Sequence, residues 1–185
     1  MFLDRDGTLN EDVGHLHARE MLHVFPWSID AVRLLKRAGY AVVVVTNQSG
    51  IAMGFTREAF VRELHDEMGA MFAAAGAPVD GWYYCPHHVT GLLPEYRQDC
   101  DCRKPRPGMP RRAARDLDLD LSRSWTVGDK WLDVGLGHAI GGRSILVRTG
   151  WGRIQEAARP EGQHADAVCD TLAAAVATIL AAGMP

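Results

Sequence analysis

Two carboxylates, Asp4 and Asp6, sit one residue apart directly after an apolar tripeptide and are followed by Gly7 and Thr8. At the end of a strand such a pair repels itself and caps nothing, a conflict that a bound divalent cation resolves. Magnesium suits the place, because it prefers oxygen ligands, needs few from protein and keeps room for water and phosphate. A third acid, Asp129, follows a later apolar stretch in Gly128-Asp129-Lys130, so Asp4, Asp6 and Asp129 form the candidate magnesium set. Phosphoryl transfer accounts for the neighbouring residue types. A carboxylate can attack phosphorus and form an aspartyl-phosphate. A second carboxyl group, when protonated, can donate to the leaving alkoxide and later take a proton from water. The hydroxyl of Thr46, backbone N–H groups beside it and the ammonium of Lys104 supply the fixed donors and charge that the transferring group needs.

A second cluster is of a different kind. Cys85-Pro86-His87 is followed, after twelve residues, by Cys100-Asp101-Cys102. Three thiols and an imidazole make a complete tetrahedral zinc set with no open position, hence a structural site. The intervening loop has no apolar periodicity and would be costly to order without such a staple. Lys104 lies two residues beyond Cys102, so the metal would also position a candidate catalytic residue. A disulfide pair or free thiols are the competing readings, and His88 is the competing nitrogen ligand; Cys169 reads as a small core residue.

These residues must be held by strands and helices. Residues 40–45, Tyr-Ala-Val-Val-Val-Val, are a continuous run of the kind buried on both faces of a parallel sheet. Residues 1–3, 79–84, 125–127, 144–147 and 165–168 are predicted as further strands. Helices are expected from an N-cap at Ser28 to Gly39, from a cap at Thr56 through Ala75, from about Pro110, over 132–139 and over 171–182. Residues 10–27 and 85–108 read as irregular, with His15, His17 and His23 as solvated loop histidines. Strands alternating with helices predict an α/β fold, a Rossmann-like doubly wound parallel sheet in one domain spanning 1–185. Ligands then bind beyond the carboxyl ends of the strands. No stretch is long enough for a large cap domain, so loops alone would cover the site.

Composition narrows the function classes. The chain has 185 residues, 47% of them hydrophobic, and a net charge of −3. That balance favours neither nucleic acid nor a membrane surface as a partner. No apolar run is long enough to cross a bilayer, and Asp4, Arg5 and Asp6 stand where the apolar core of a signal peptide would begin. A cytoplasmic, monomeric enzyme acting on a small molecule is the expectation.

The order Asp4-Arg5-Asp6-Gly7-Thr8, an apolar strand ending in Thr46, a downstream Lys104, and Gly128-Asp129 with Asp133 resembles the four signatures of the haloacid-dehalogenase-type phosphatases across almost the whole chain. The resemblance implies that Asp4 is the nucleophile and Asp6 the general acid and base. It places Thr46 and Lys104 on the phosphoryl group, and magnesium on Asp4, the backbone carbonyl of Asp6 and Asp129. Asp133 would order the site rather than bind the ion. Residues 46–51, Thr-Asn-Gln-Ser-Gly-Ile, the long loop, and the Cys85-Pro-His-His88 and Cys100-Asp-Cys-Arg-Lys-Pro105 segments are similar to the heptose-bisphosphate phosphatase branch. The related histidinol-phosphatases carry Asp at the position of Ser49 and a shorter loop. The branch resemblance implies His87 as the zinc ligand. It also implies contacts from Asp12, Val13, Gly14, His15, Asn47, Gln48 and Ser49 to sugar and reacting phosphate, Arg103 on a distal phosphate, and Lys130 near the magnesium. The implied activity is removal of the 7-phosphate of a heptose 1,7-bisphosphate. Histidinol-phosphate or general sugar-phosphate hydrolysis is the alternative. A non-catalytic zinc-stabilised binding module would require a broken catalytic set, whereas Asp4, Asp6, Thr46, Lys104 and Asp129 are all present. Two positions depart from the branch pattern at the expected sugar site: His15 stands where Tyr is usual, and Met53 where Arg is usual.

Overall fold

Residues 42–45 explain the architecture. Val42 and Val44 pack into one apolar cluster and Val43 and Val45 into another, each buried, because successive side chains of a strand point to opposite faces. A strand buried on both faces needs helices on both. The computed structural model, which describes residues 1–183, shows this arrangement. Six parallel strands, β1 (Phe2–Leu3), β2 (Val43–Asn47), β3 (Gly81–Cys85), β4 (Trp125–Gly128), β5 (Arg143–Val147) and β6 (Ala167–Cys169), are ordered β3-β2-β1-β4-β5-β6. Helices α1 (Ser28–Arg37), α3 (Glu58–Ala74) and α7 (Leu172–Ala181) cover one face with Val32, Leu35, Leu64, Met68, Phe72, Val176 and Ile179. Helices α4 (Gly108–Leu117) and α5 (Trp131–Ala139) cover the other with Met109, Ala113, Leu136, Trp131 and Val134. Two short helices, α2 (Ser49–Ala52) and α6 (Gly152–Ala157), follow β2 and β5.

The doubly wound sheet is as expected, but several boundaries move. The second strand begins at Val43, not at residue 40, because its pairing with β1 starts at Phe2↔Val43 while the Tyr40 N–H still bonds the Leu35 carbonyl of the helix end. The strand therefore runs through Thr46 and Asn47. Ser28 is the first residue of α1, not its cap; its buried hydroxyl donates to the Leu9 carbonyl (2.7 Å) and ties the helix to the segment after Asp6. Thr56 makes no cap either: Arg57 occupies that position of α3 without a side-chain bond. Thr171 does cap α7, accepting from the Ala174 N–H at 3.2 Å. Among the described residues no helix is long and apolar enough to cross a membrane.

Strand order reverses on either side of β1, with β2 and β3 to one side and β4 to β6 on the other. The crevice beyond the carboxyl ends of β1, β2 and β4 is thus the natural ligand site of this topology.

Candidate active site

Asp4 leaves the end of β1, Thr46 lies near the end of β2 and Asp129 follows β4, so three neighbouring strands deliver them to one place. A cavity of about 290 Å³ opens there. Asp4, Asp6, Asp12, Gly14, His15, Thr46, Asn47, Gln48, Ser49, Arg103, Lys104 and Lys130 line it, together with Gly50, Leu132 and Trp151, which the sequence reading did not single out. Val13 does not line it.

Electrostatics dominate the floor. The carboxylates of Asp4, Asp129 and Asp133 can bring oxygens within 4.8 Å of one another, and all three side chains are buried. Lys104, also buried, places Nζ 2.8 Å from Asp4 Oδ1 and 2.7 Å from Asp133 Oδ1, and donates to the Val45 carbonyl at 2.9 Å. Burial favours loss of the Lys104 proton, but the carboxylates of Asp133 and Asp4 outweigh it and hold the ammonium above its usual pKa. Lys104 reaches two of the three acids, and the second cation, Lys130, stands 3.9 Å from Asp129 Oδ1 without hydrogen-bonding it. Burial, followed by repulsion from Asp4, pushes Asp129 up to about 8, and burial pushes Asp133 up to about 6. Asp129 Oδ2 accepts the Trp151 N–H (2.8 Å), while its Oδ1 is buried with no hydrogen-bond partner among the described residues. An orphaned carboxylate oxygen facing other acids is what a hard divalent cation would satisfy, so the donor set fits magnesium. Asp133 also accepts the Lys130 N–H at the start of α5 (3.1 Å), which suits an organising acid.

Asp6 stands outside that trio. Its Oδ1 accepts from Arg5 and Asn10, and its Oδ2 from Arg5 (2.7 Å) and Gln48 (2.8 Å). Although burial opposes ionisation, the Arg5 charge and these donors hold its carboxyl below the usual range. Gln48 also donates to Thr46 Oγ1 (2.9 Å). With that oxygen occupied as an acceptor, the Thr46 proton is left to donate into the cavity. The Asn47 amide grips the Lys104 main chain, accepting its N–H at 3.0 Å and donating to its carbonyl at 3.3 Å. Lys130 Nζ bonds Asp12 Oδ2 (2.8 Å) and joins the first loop to β4.

Close backbone approach keeps Asp129 in place. Gly150 has φ of +53°, and a Cβ on it would fall 2.6 Å from Gly7 Cα and closer still to Asp129 Oδ2. Gly150→Ala should therefore displace Asp129 and raise the magnesium concentration for half-maximal activity about tenfold or more. An unchanged magnesium titration would refute this.

Cys85, Cys100 and Cys102 come together as expected, with His87, the nitrogen ligand that the branch resemblance implied. The three sulfurs are 3.1–3.5 Å apart and His87 Nδ1 lies 3.3 Å from Cys102 Sγ. Tetrahedral zinc with Zn–S bonds of about 2.3 Å needs sulfurs only slightly farther apart. No disulfide forms among these thiols. His88 turns its Nδ1 to Thr90 (2.9 Å), leaving His87 as the nitrogen of the cluster. Arg103 reaches from the same loop to the cavity and donates to the His87 carbonyl (3.2 Å).

Sequence reading missed Arg5 and His65. Arg5 is buried, and its Nη1 lies 3.0 Å from His65 Nε2. The available signal was a histidine within the apolar stripe of α3, between Leu64 and Met68.

A buried carboxylate paired with a buried lysine, a separate hydrogen-bonded acid and a cation-ready trio at the switch point of this sheet fit a phosphohydrolase site of the haloacid-dehalogenase type. A family model described as HAD-hydrolase-like matches residues 101–175, and one described as polynucleotide kinase 3 phosphatase matches residues 2–134. The chain is 48% identical to D-glycero-beta-D-manno-heptose-1,7-bisphosphate 7-phosphatase of Salmonella typhi, covering 81% of this chain and 80% of that one. It is 45% identical to the protein of the same name from Escherichia coli K12, covering 94% and 89%. The crystal structure of D,D-heptose 1,7-bisphosphate phosphatase from B. bronchiseptica, complexed with magnesium and phosphate, superposes with a TM-score of 0.85 at 36% identity, over 99% of this chain and 98% of that one. The chain belongs to the HAD-like phosphatases and, among them, to the heptose-1,7-bisphosphate 7-phosphatase family.

Proposed function

We propose that this protein hydrolyses the 7-phosphate of D-glycero-D-manno-heptose 1,7-bisphosphate. The observation that carries the reading is a phosphotransfer floor with a cationic rim: Asp4 beside Lys104, and Arg103 held on the cavity edge by the His87 carbonyl. Asp4 attacks phosphorus, forming an aspartyl-phosphate as the bond to the sugar oxygen breaks. Asp6 gives that oxygen a proton, then recovers one from the water that hydrolyses the intermediate. Lys104 and the Thr46 hydroxyl hold the phosphoryl oxygens. Magnesium bound by Asp4, Asp129 and the Asp6 carbonyl would neutralise charge on the phosphoryl group. Arg103 offers a planar fork to the second phosphate, which a monophosphate lacks. Cys85, His87, Cys100 and Cys102 would hold a zinc ion, which would order the loop that carries Arg103.

Kinetics with magnesium on both anomers of the heptose bisphosphate and on histidinol phosphate test this directly. A kcat/KM at least about a hundredfold higher for the bisphosphate is expected. A preference for histidinol phosphate would overturn the substrate. The Ser49 and long-loop pattern favours the bisphosphate, and the curated relatives carry the beta anomer in their names.

A further inference from the structure

We propose that His65 and Arg5 are positioning residues for Asp6, a buried relay from α3 that sets the leaving-group proton in place. Arg5 lies between the two catalytic acids in sequence, yet its side chain turns inward and is only 1% exposed. Its Nε and Nη2 fork onto Asp6 at 2.7–3.0 Å, and its Nη1 faces His65 Nε2 at 3.0 Å. A guanidinium can only donate, so Nε2 must accept and the imidazole proton sits on Nδ1. Burial, then the charge of Arg5, lowers the His65 pKa to about 3, so the ring is the neutral acceptor that this bond requires. The ring is itself immobilised, stacked on Trp82 with centroids 5.1 Å apart and meeting the edge of Tyr84 at 5.7 Å. Arg5 thus has one face fixed by a packed aromatic wall and presents the other to Asp6.

The chemical consequence lies in one proton. When the anionic substrate binds beside Asp6, its charge favours protonation of that carboxyl. As Asp4 Oδ bonds phosphorus and the bond to the sugar oxygen breaks, that proton moves to the sugar oxygen and restores the carboxylate. The Arg5 fork stabilises and orients this carboxylate, and the proton returns from the attacking water in the second half-reaction. Alkyl phosphates need the proton because an alkoxide is a poor leaving group. 4-Nitrophenyl phosphate does not, since nitrophenolate leaves unprotonated. A loosened relay should therefore discriminate between the two substrates, whereas general damage to the fold should not.

The inference rests on the phosphatase reading above. With full-length protein and magnesium, kcat is measured for heptose bisphosphate and for 4-nitrophenyl phosphate. His65→Leu removes the acceptor and should lower the ratio of the two kcat values at least about tenfold. His65→Gln, whose carbonyl can accept from Arg5, should restore most of it. His65→Asn, too short to reach Arg5, takes the place of Leu if the Leu variant does not fold. A ratio within twofold of wild type in the Leu or Asn variant, or a Gln variant no better than either, overturns the relay. A wild-type protein that cleaves 4-nitrophenyl phosphate but no heptose bisphosphate instead overturns the substrate; an alkyl phosphate that it does cleave then takes the sugar's place in the ratio.

Discussion

Asp4→Asn will abolish turnover, by at least about a thousandfold, in a protein that folds as well as the wild type. The amide lacks the nucleophilic oxygen that must bond phosphorus, and no neighbour replaces it. Asp133 and Asp129 are near, but Asp133 is committed to Lys104 and to the Lys130 N–H, and Asp129 is anchored by the Trp151 N–H. The effect on stability has the opposite sign from that on activity. In chelator-treated protein, burial and the Asp4 charge push Asp129 up to about 8. Between pH 4 and 8 the folded state then binds more protons than the unfolded state, so this group's contribution to stability falls as pH rises. Removing the Asp4 charge relieves part of that loss, and Lys104 keeps Asp133 as its partner. At pH 7 without magnesium the variant should thus melt at or above the wild-type temperature, and magnesium should raise its Tm less. Melting curves with and without chelator, beside single-turnover kinetics, decide both halves. Measurable turnover by Asp4→Asn would remove Asp4 as nucleophile, and a large loss of Tm in chelator would contradict the charge argument.

The difference between what sequence made legible and what it did not follows the range of the interaction. Val42 to Val45 announce a two-faced strand because the property is local. Asp4, Thr46 and Asp129 are legible because a strand end is a local feature and the topology brings strand ends together. Boundaries are less local: where β2 begins depends on the partner Phe2, and Ser28 turns to the Leu9 carbonyl instead of capping its helix. The Asp6–Arg5–His65 contact is hidden because it spans 60 residues and because an arginine between two acids reads as exposed. Lys104 was legible by type, but not its confinement by Asp4, Asp133, Val45 and the Asn47 amide. Nothing local distinguishes Trp151, which lines the cavity next to Gly150, where a Cβ would fall 2.6 Å from Gly7 Cα.

Loss of the zinc set should separate stability from chemistry. Cys102→Ser removes one of four ligands at the centre of the cluster, where Cys102 Sγ lies within 3.3 Å of Cys85, Cys100 and His87. A structural zinc site contributes folding free energy directly. A loss of about 4 kcal/mol would lower Tm by roughly 10–15 °C in a chain of this size. Other bonds limit the damage to the loop. Glu58 accepts from both Tyr84 and Tyr96 at 2.7 Å, and the Gly108 N–H bonds the Asp101 carbonyl at 2.9 Å. Lys104 is held from β2 by Asn47 and Val45 and from α5 by Asp133, none of which needs the metal. Arg103 is different: among the described residues its side chain hydrogen-bonds only the carbonyl of His87, itself a candidate zinc ligand. KM for the bisphosphate should therefore rise about tenfold while kcat changes only a few-fold. Metal analysis of protein purified without added zinc should give about one equivalent in the wild type and much less in Cys102→Ser. Folded, active wild-type protein with under half an equivalent, or a variant with unchanged Tm, would exclude the staple. An equal fall in kcat with KM unchanged would mean that the metal holds Lys104 and not Arg103.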